Sequence, residues 1–165
     1  NACLKGIAQV ATHEPPPDIV VFIDADNSDH PEQMTEVVAP IFEGRADFVI
    51  GSRALGHRDA GSMMPQQIFG NWLATRLLKV FYGVRYSDLG PFRAVRWEAL
   101  QDMGMRDRTF GWTVEMQLKA AKQGLRITEV PVDYRKRIGF SKISGTVKGS
   151  VLAGWKIITT IIKYR

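Results

Sequence analysis

The residues best suited to chemistry are three aspartates that follow an apolar run in the first fifth of the chain. Asp24, Asp26 and Asp29 come directly after the apolar run Ile19–Ile23. A turn after a strand needs one Asp or Asn, so three neighbouring carboxylates indicate more than turn formation. Asp24 and Asp26 could converge on Mg²⁺ or Mn²⁺, which proteins hold by one or two carboxylates together with substrate phosphates. For this pair taken alone, the alternative interpretation is an acidic Asx turn without a ligand.

The segments around these aspartates predict an edge where ligands bind. Ile19–Ile23 is a β-branched and aromatic run, typical of a strand buried on both faces in a parallel sheet. A helix is predicted from about Pro31 to Phe42, and a second buried strand lies within residues 46–53. Ligands of such sheets bind at the carboxyl ends of strands, so the aspartates and Arg53 are expected to share a site. Asp29 is instead assigned to the N-terminus of the helix, where the dipole favours negative charge.

The rest of the chain continues this alternation and predicts one α/β domain. Further helices are predicted over residues 66–82 and 112–124, at the start of the chain and from about residue 146; further strands are predicted within 88–100 and after residue 124. In the last helix, one face carries Val147, Val151, Trp155, Ile158 and Ile162, and another carries Lys148, Lys156 and Lys163. This amphipathic pattern suits either packing on the domain or lying in a membrane interface.

Charge is distributed unevenly along the 165 residues, whose net charge is +5. Residues 1–50 hold nine acidic and two basic side chains, whereas residues 134–165 hold eight Lys or Arg and no acid. The basic end suits a phosphate ligand, an anionic membrane surface or a nucleic acid. The single cysteine, Cys3, excludes an internal disulfide and a cysteine-based zinc site.

Other candidate site residues stand at turns and on one helix. Asp88 and Arg93 flank the Gly-Pro turn at residues 90–91, which would fix one side chain relative to the other. Glu115 lies on an otherwise apolar helix face, where a carboxylate is either paired with an arginine or positioned for function. The stretch from Arg135 to Lys142 offers the donors that phosphates take, and a solvated charge run is the alternative.

Five segments occur in an order that resembles a known family: VVFIDADNSDHPE, DFVIGSR, DLGPFRAVRWEAL, FGWTVEMQLKAAKQGLRITEVPVDYR and RIGFSKISGT. Together they are similar to family 2 glycosyltransferases, close to the dolichol- and polyprenyl-phosphate sugar synthases. The resemblance implies the GT-A fold, a Rossmann-like α/β domain with a mixed, mainly parallel sheet flanked by helices.

The resemblance also implies a set of site residues. Metal and donor binding fall to Asp24 and Asp26, with Arg53 as a further donor-site residue. Contact with the phosphate of the acceptor falls to Arg93, Arg135, Arg137, Ser141 and Lys142. The catalytic group comprises Asp26, Asp88 and Glu115.

The activity implied is an inverting, Mg²⁺- or Mn²⁺-dependent transfer of a sugar from a nucleotide-sugar to a polyprenyl phosphate. Its expected location is peripheral to the cytoplasmic face of a membrane, with no nucleic acid partner and with the oligomeric state left open. If the acceptor were a sugar hydroxyl, a base would be needed, and Glu115 or Asp88 would supply it. A haloacid-dehalogenase-type phosphatase with Asp24 as nucleophile and a non-catalytic membrane-binding module are competing hypotheses.

The first residues align with a helix that follows the nucleotide-binding strand of the family. We therefore expect residues 1–145 to be the C-terminal two-thirds of a GT-A domain, and residues 146–165 to be an amphipathic basic helix at a membrane interface. On this interpretation the 165-residue chain alone has weak or no transferase activity.

Overall fold

A computed structural model describes residues 2–139 and 147–164, with the backbone alone at 147, 148 and 150. The predicted acceptor residues Ser141 and Lys142 lie outside the described residues. The helices are α1 (Ala2–Val10), α2 (Met34–Phe42), α3 (Pro65–Tyr82), α4 (Trp97–Met103), α5 (Trp112–Lys122) and α6 (Val147–Lys163). The strands are β1 (Ile19–Phe22), β2 (Phe48–Ser52), β3 (Arg93–Arg96) and β4 (Ile127–Pro131). The predicted α/β class is confirmed.

The four strands form one mixed sheet in the order β1-β3-β2-β4. β3 runs antiparallel to both of its neighbours, and β2 pairs in parallel with β4. Three strands therefore point the same way and β3 points against them, which agrees with a mixed, mainly parallel sheet. The expectation that β1 is buried on both faces is wrong: all four of its residues are half-buried, because β1 is at the edge of the sheet within the described residues.

The reversed strand β3 brings a third chain segment to the edge where β1 and β2 end. Its first residue, Arg93, pairs with Phe22 of β1 and with Ile50 of β2. The residues that follow β1 and β2 and those that precede β3 therefore meet at one edge. This topology places Asp24 and Arg53 at the same side of the sheet, as their positions after strands predicted.

Hydrophobic residues pack in two clusters, and neighbouring residues of β2 belong to different ones. Phe48 and Ile50 lie in the larger cluster, which receives residues of α3, α4, α5 and α6. Val49 lies in the smaller cluster, against Val37 and Ile41 of α2. Successive side chains of a strand point to opposite faces, so β2 is covered on both sides and anchors the sheet.

The last helix packs on the domain through a face other than the predicted one. Ile161 is fully buried in the larger cluster, and Ile157 packs against it. Val151, Trp155 and Ile162 of the predicted apolar face are 65%, 68% and 59% exposed. The amphipathic pattern was correct, but the face that packs is set by the contacts of α6 with α3 and α5. No helix in the described part of the chain is long and apolar enough to cross a membrane.

A close approach of two backbones fixes the loop before β3 against the end of β2. A Cβ atom on Gly90 would lie 2.4 Å from the carbonyl oxygen of Gly51, a distance that real Cβ atoms do not show. On the β2 side, the amide of Gly51 donates to the carbonyl of Phe92 at 2.8 Å. Only a residue without a side chain fits at position 90, so the loop lies directly on the strand end.

This contact predicts opposite effects for two glycine-to-alanine substitutions. Gly90→Ala should lower the free energy of unfolding by about 1–3 kcal/mol, because the added methyl group overpacks a backbone contact. Gly70→Ala, in the interior of α3, meets nothing within 4 Å and should raise it by about 0.5–1 kcal/mol through helix propensity. Urea denaturation followed by circular dichroism checks both; equal effects would contradict the close approach.

Candidate functional site

The loop from Asp24 to Asp29, which we call the acidic loop, is shaped by its own side chains. The Oδ1 atom of Asp26 accepts hydrogen bonds from the Ser28 amide, at 3.1 Å, and from the Ser28 hydroxyl. Asn27 between them has φ +68°, a left-handed conformation that Asn tolerates better than most residues. The Oδ2 atom of Asp29 accepts a hydrogen bond from the Asp24 amide at 2.9 Å, which closes the loop.

Asp29 does not have the role that the sequence predicted for it. Its side chain is buried, and the short 3₁₀ turn that begins at Pro31 has His30 as its N-cap, without a capping side-chain bond. Burial raises the pKa of Asp29 to about 6. The hydrogen bond from the Asp24 amide lowers this pKa, and the negative charge of the Asp24 carboxylate raises it. The Oδ1 atom of Asp29 has no hydrogen-bond partner among the described residues. The assignment of Asp29 to a helix N-terminus is therefore wrong.

The two carboxylates predicted as metal ligands repel each other. The pKa of Asp24 is raised, first because surrounding protein displaces water around the carboxyl and second because the charge of Asp26 repels its ionised form. A cation beside both groups would relieve this repulsion and favour the ionised form of each. The charges of the loop are therefore compatible with a bound cation.

The donor set fits a divalent cation whose coordination is completed by a ligand. Among the residues that the structure describes, no group of three or more His, Cys, Asp or Glu side chains converges as a ready metal cage. Mg²⁺ and Mn²⁺ are commonly held by one or two carboxylates plus phosphate oxygens and water, rather than by an all-protein cage. Asp24 and Asp26 match that requirement.

A basic segment, defined as residues 135–138, runs beside the acidic loop and is hydrogen-bonded to it. The Arg135 amide donates to the Ser28 carbonyl at 3.0 Å, and the Ile138 amide donates to the Asp26 carbonyl at 2.9 Å. The Arg135 side chain donates from Nε to the Asn27 carbonyl at 2.6 Å. The structure thus brings together residues that the sequence assigned to the donor and to the acceptor phosphate, although they are more than 100 positions apart.

Arg137 makes the most direct contact between the two segments. Its guanidinium forms an ion pair with Oδ2 of Asp26, and both side chains are partly exposed. Asp26 therefore accepts from Ser28 with one oxygen and from Arg137 with the other. Gly139 follows with φ +95°, a conformation that favours glycine.

Arg53 and Asp88 form a buried ion pair at the end of β2. Nε of Arg53 donates to Oδ2 of Asp88 at 2.8 Å, Nη2 donates to Oδ1 at 2.8 Å, and the Arg53 amide also donates to Oδ2 at 2.9 Å. Burial alone would lower the pKa of Arg53, but the hydrogen bond and charge of Asp88 raise it overall. Burial opposes ionisation of Asp88 too, yet Arg53 keeps its pKa low. Both groups are fully charged and engaged with each other.

Arg93 is placed where its side chain supports the backbone. It is fully buried, and its guanidinium donates to the carbonyls of Gly90, of Thr113 at 3.0 Å and of Leu89 at 3.3 Å. Burial lowers its pKa to about 10. The contact with an acceptor phosphate predicted for Arg93 would require this guanidinium to leave three carbonyls, so the described arrangement does not provide that contact.

Glu115, predicted as a catalytic carboxylate, is fully buried in the first turn of α5. It accepts hydrogen bonds from the Asp107 amide at 2.7 Å and the Tyr164 hydroxyl at 2.6 Å, and pairs with Lys119 at 2.9 Å. Burial would raise its pKa, but these partners lower it overall. Because Tyr164 directly follows α6, Glu115 ties that end of the chain to α5 and to the loop before it.

One carboxylate that the sequence did not single out also supports the site. Glu129 of β4 accepts hydrogen bonds from the amides of Ser87, at 3.0 Å, and Asp88, at 3.3 Å. Burial raises its pKa despite these bonds. In the sequence, Glu129 is recognisable only as an acidic residue within the apolar strand β4. That position predicts a polar side chain at the strand but does not identify its partner.

Comparison with known proteins decides the family. Residues 1–104 match the profile described as Glycosyl transferase family 2, which covers more than half of the chain. The chain belongs to glycosyltransferase family 2. The interpretation as a haloacid-dehalogenase-type phosphatase, which rested on Asp24 as a nucleophile, is not supported, because Asp24 lies within the matched family domain.

Relatives of the domain agree with this placement. An uncharacterized glycosyltransferase of Mycobacterium tuberculosis is 36% identical over 86% of this chain and 65% of its own length. An undecaprenyl-phosphate mannosyltransferase of Micrococcus luteus is 29% identical over 82% of this chain and 57% of its own. The chain therefore spans about 60% of the length of these relatives.

A solved structure confirms the fold. Glucosyl-3-phosphoglycerate synthase of Mycobacterium tuberculosis, in complex with Mn²⁺, UDP-glucose and phosphoglyceric acid, superimposes with a TM-score of 0.70 at 20% identity. The superposition covers 99% of this chain and 53% of that enzyme. The GT-A architecture expected from the motifs is thus confirmed for this glycosyltransferase domain.

The buried ion pair predicts a large loss of stability when one partner is neutralised. Asp88→Asn should lower the free energy of unfolding of the domain by about 3–5 kcal/mol, because it leaves the Arg53 charge buried and unpaired. A matched control is Asp47→Asn, which breaks the outer ion pair with Arg126 at 2.7 Å. There the freed guanidinium is hydrated, so the loss should be much smaller. Urea unfolding measures both, and similar losses would contradict a structural role for the buried pair.

Proposed function

We propose that this domain transfers a sugar from a nucleotide-sugar to the phosphate of a polyprenyl lipid, with a divalent cation held by Asp24 and Asp26. The observation that carries the proposal is the direct contact of the acidic loop with the basic segment. This contact places the cationic side chain of Arg137 in an ion pair with Asp26, one of the two proposed cation ligands. A leaving diphosphate and an attacking phosphate need a cation site and a cationic side chain side by side.

Known proteins support both halves of the proposal. The solved neighbour binds Mn²⁺ together with UDP-glucose, as its description states. The relative from Micrococcus luteus is named as acting on undecaprenyl phosphate. On this basis we propose that the acidic loop binds the donor, and that Arg135 and Arg137 of the basic segment bind the acceptor phosphate together with Ser141 and Lys142, which follow them in the sequence.

The state of the two carboxylates that the sequence offered as bases favours a phosphate as the acceptor over a sugar hydroxyl. A hydroxyl needs a base, and the candidates from the sequence were Asp88 and Glu115. Asp88 is bound by the Arg53 guanidinium and Glu115 by Tyr164 and Lys119, and each has a lowered pKa, which makes it a weak base. A phosphate monoester has its second pKa near 6, so it brings its own ionised oxygen at neutral pH.

Each of the site residues then has a separate role in the proposed reaction. Asp24 and Asp26 hold the cation, which when bound neutralises negative charge that develops on the leaving diphosphate. Arg137 and the residues after it orient the acceptor phosphate, whose oxygen attacks the anomeric carbon from the face opposite the diphosphate. Arg53 and Arg93 are engaged with Asp88 and with carbonyls, so they fix the edge of the sheet beneath the reacting groups.

A first test removes the cation ligands. Asp24→Asn and Asp26→Asn, each made in the complete reading frame, should lower kcat at least about 100-fold, since loss of one preorganised electrostatic group at a transition state has such effects. Asp18→Asn, just before β1 and at its opposite end, is the matched control and should keep full activity. The assay follows labelled sugar from UDP- and GDP-sugars into polyprenyl phosphate with Mn²⁺ and with EDTA. Undiminished transfer by either loop variant would overturn the assignment.

We also propose that α3 and α6 contact a membrane surface, where a polyprenyl acceptor resides. On α3, Phe69 and Trp72 are 61% and 52% exposed, and on α6, Trp155 is 68% exposed. These two helices pack against each other and carry basic residues close to the aromatic ones, including Arg76 over the Trp72 ring. Exposed aromatic side chains with neighbouring cations are typical of helices in an anionic lipid interface.

A vesicle assay tests this surface. Trp72→Glu and Trp155→Glu should each weaken co-sedimentation with phosphatidylglycerol-containing vesicles about 10-fold or more, because each forfeits burial of a large apolar side chain and adds repulsion. Phe42→Glu on α2 is the control, since Phe42 is 86% exposed but lies on a different helix. If the control weakens binding as much as the tryptophan variants, the membrane does not contact α3 and α6.

A further inference from the structure

The carboxylate of Asp26 has two possible cationic partners, the proposed metal ion and the Arg137 guanidinium. Under the proposed function it is a ligand of the divalent cation, yet in this structure its Oδ2 atom accepts from Arg137 and its Oδ1 atom from Ser28. A guanidinium and a metal ion both seek the outer lone pairs of a carboxylate, and two cations at that position repel each other. Metal binding to Asp26 therefore competes with the ion pair to Arg137.

The backbone around Arg137 lets its side chain move without displacing the segment. The Arg135 and Ile138 amides on either side donate to carbonyls of the acidic loop at 3.0 and 2.9 Å. These bonds do not involve the Arg137 side chain, which is 32% exposed. When the guanidinium leaves Asp26, the basic segment remains beside the loop.

The neighbouring cationic side chains, Arg135 and Lys136, do not contact the Asp26 carboxylate. Arg135 donates to the carbonyls of Asn27 and Asp29, at 2.6 and 3.3 Å, and these neutral acceptors are not expected to bind the metal. Lys136 is exposed and makes no hydrogen bond or ion pair with the rest of the described chain. Among residues 135–137, only Arg137 contacts a predicted metal ligand.

We propose that Arg137 couples the metal site to the acceptor site by exchanging partners. Without ligands its guanidinium neutralises Asp26; when an acceptor phosphate takes the guanidinium, the Asp26 carboxylate is released to the metal. The coupling is reciprocal, so metal on Asp26 also frees Arg137 for the phosphate. This inference rests on the proposed function, because it takes Asp24 and Asp26 as the cation ligands and a phosphate monoester as the acceptor.

The test measures Mn²⁺ binding to the purified chain by the paramagnetic resonance signal of free Mn²⁺, without nucleotide or turnover. Arg137→Gln should bind Mn²⁺ about three-fold more tightly than the unmodified chain, the size expected for loss of a competing, partly exposed ion pair. Lys136→Gln removes the same charge one position away and should leave the affinity unchanged. Arg137→Met serves as a second variant, and thermal unfolding of each variant verifies its fold.

A second arm adds citronellyl phosphate, a short water-soluble prenyl phosphate. In the unmodified chain it should tighten Mn²⁺ binding about three-fold, because it draws the guanidinium from Asp26. In Arg137→Gln this gain should disappear, and any direct association of Mn²⁺ with the phosphate appears equally in both proteins. The difference between the two proteins is therefore the coupling itself.

The possible results separate the inference from the function on which it rests. Equal Mn²⁺ affinity in the unmodified chain and in the Arg137 variants would overturn the coupling, while the metal site stands if Asp24→Asn and Asp26→Asn lose binding. A gain in Lys136→Gln equal to that in Arg137→Gln would also overturn it, since net charge rather than the ion pair would then be responsible. Absence of Mn²⁺ binding in every protein would overturn both proposals.

Discussion

The buried ion pair between Arg53 and Asp88 is the interaction on which the edge of the sheet depends. It joins the end of β2 to the loop before β3 by three hydrogen bonds of 2.8–2.9 Å. The Arg53 guanidinium also lies 4.9 Å from the ring centre of Tyr134, whose backbone pairs with Asp29 of the acidic loop. One charge pair therefore sets the position of β2, of the loop before β3 and of the chain that leads into the basic segment.

Supporting contacts surround this pair and explain why so many charges are buried beside it. Glu129 accepts from the amides of Ser87 and Asp88, while Arg93 donates to carbonyls of residues 89 and 90. The carboxylate of Glu129 thus binds the amides of this loop, and the guanidinium of Arg93 binds its carbonyls. Buried ion pairs add little net stability compared with apolar packing, but they require defined geometry. Their effect at this edge is to fix positions rather than to add stability.

Local sequence pattern predicted the helices and the strand ends, because those features depend on neighbours in the chain. The cation-binding role of Asp24 and Asp26 stays a prediction. The contact of Asp26 with Arg137 was not predicted: the family resemblance assigned the two residues to the donor and to the acceptor phosphate, and 111 positions separate them. The buried position of Asp29, the role of Glu129 and the packing face of α6 were not predicted. Each depends on what a distant segment presents: the backbone of Tyr134 that pairs with Asp29, the loop at Ser87, and the surfaces of α3 and α5.

The four arginines at this edge look equivalent in the sequence, but they differ in burial and in the partners of their guanidinium groups. Arg53 and Arg93 are buried, and their guanidinium groups are bound to Asp88 and to backbone carbonyls, respectively. Arg135 is held by the carbonyls of the acidic loop. Arg137 alone among the four binds a carboxylate that a metal would also claim, and it remains partly exposed. Under the proposed function, the charge that an incoming phosphate recruits from these four is therefore the one that neutralises Asp26, and this is why we propose that the two sites are not filled independently.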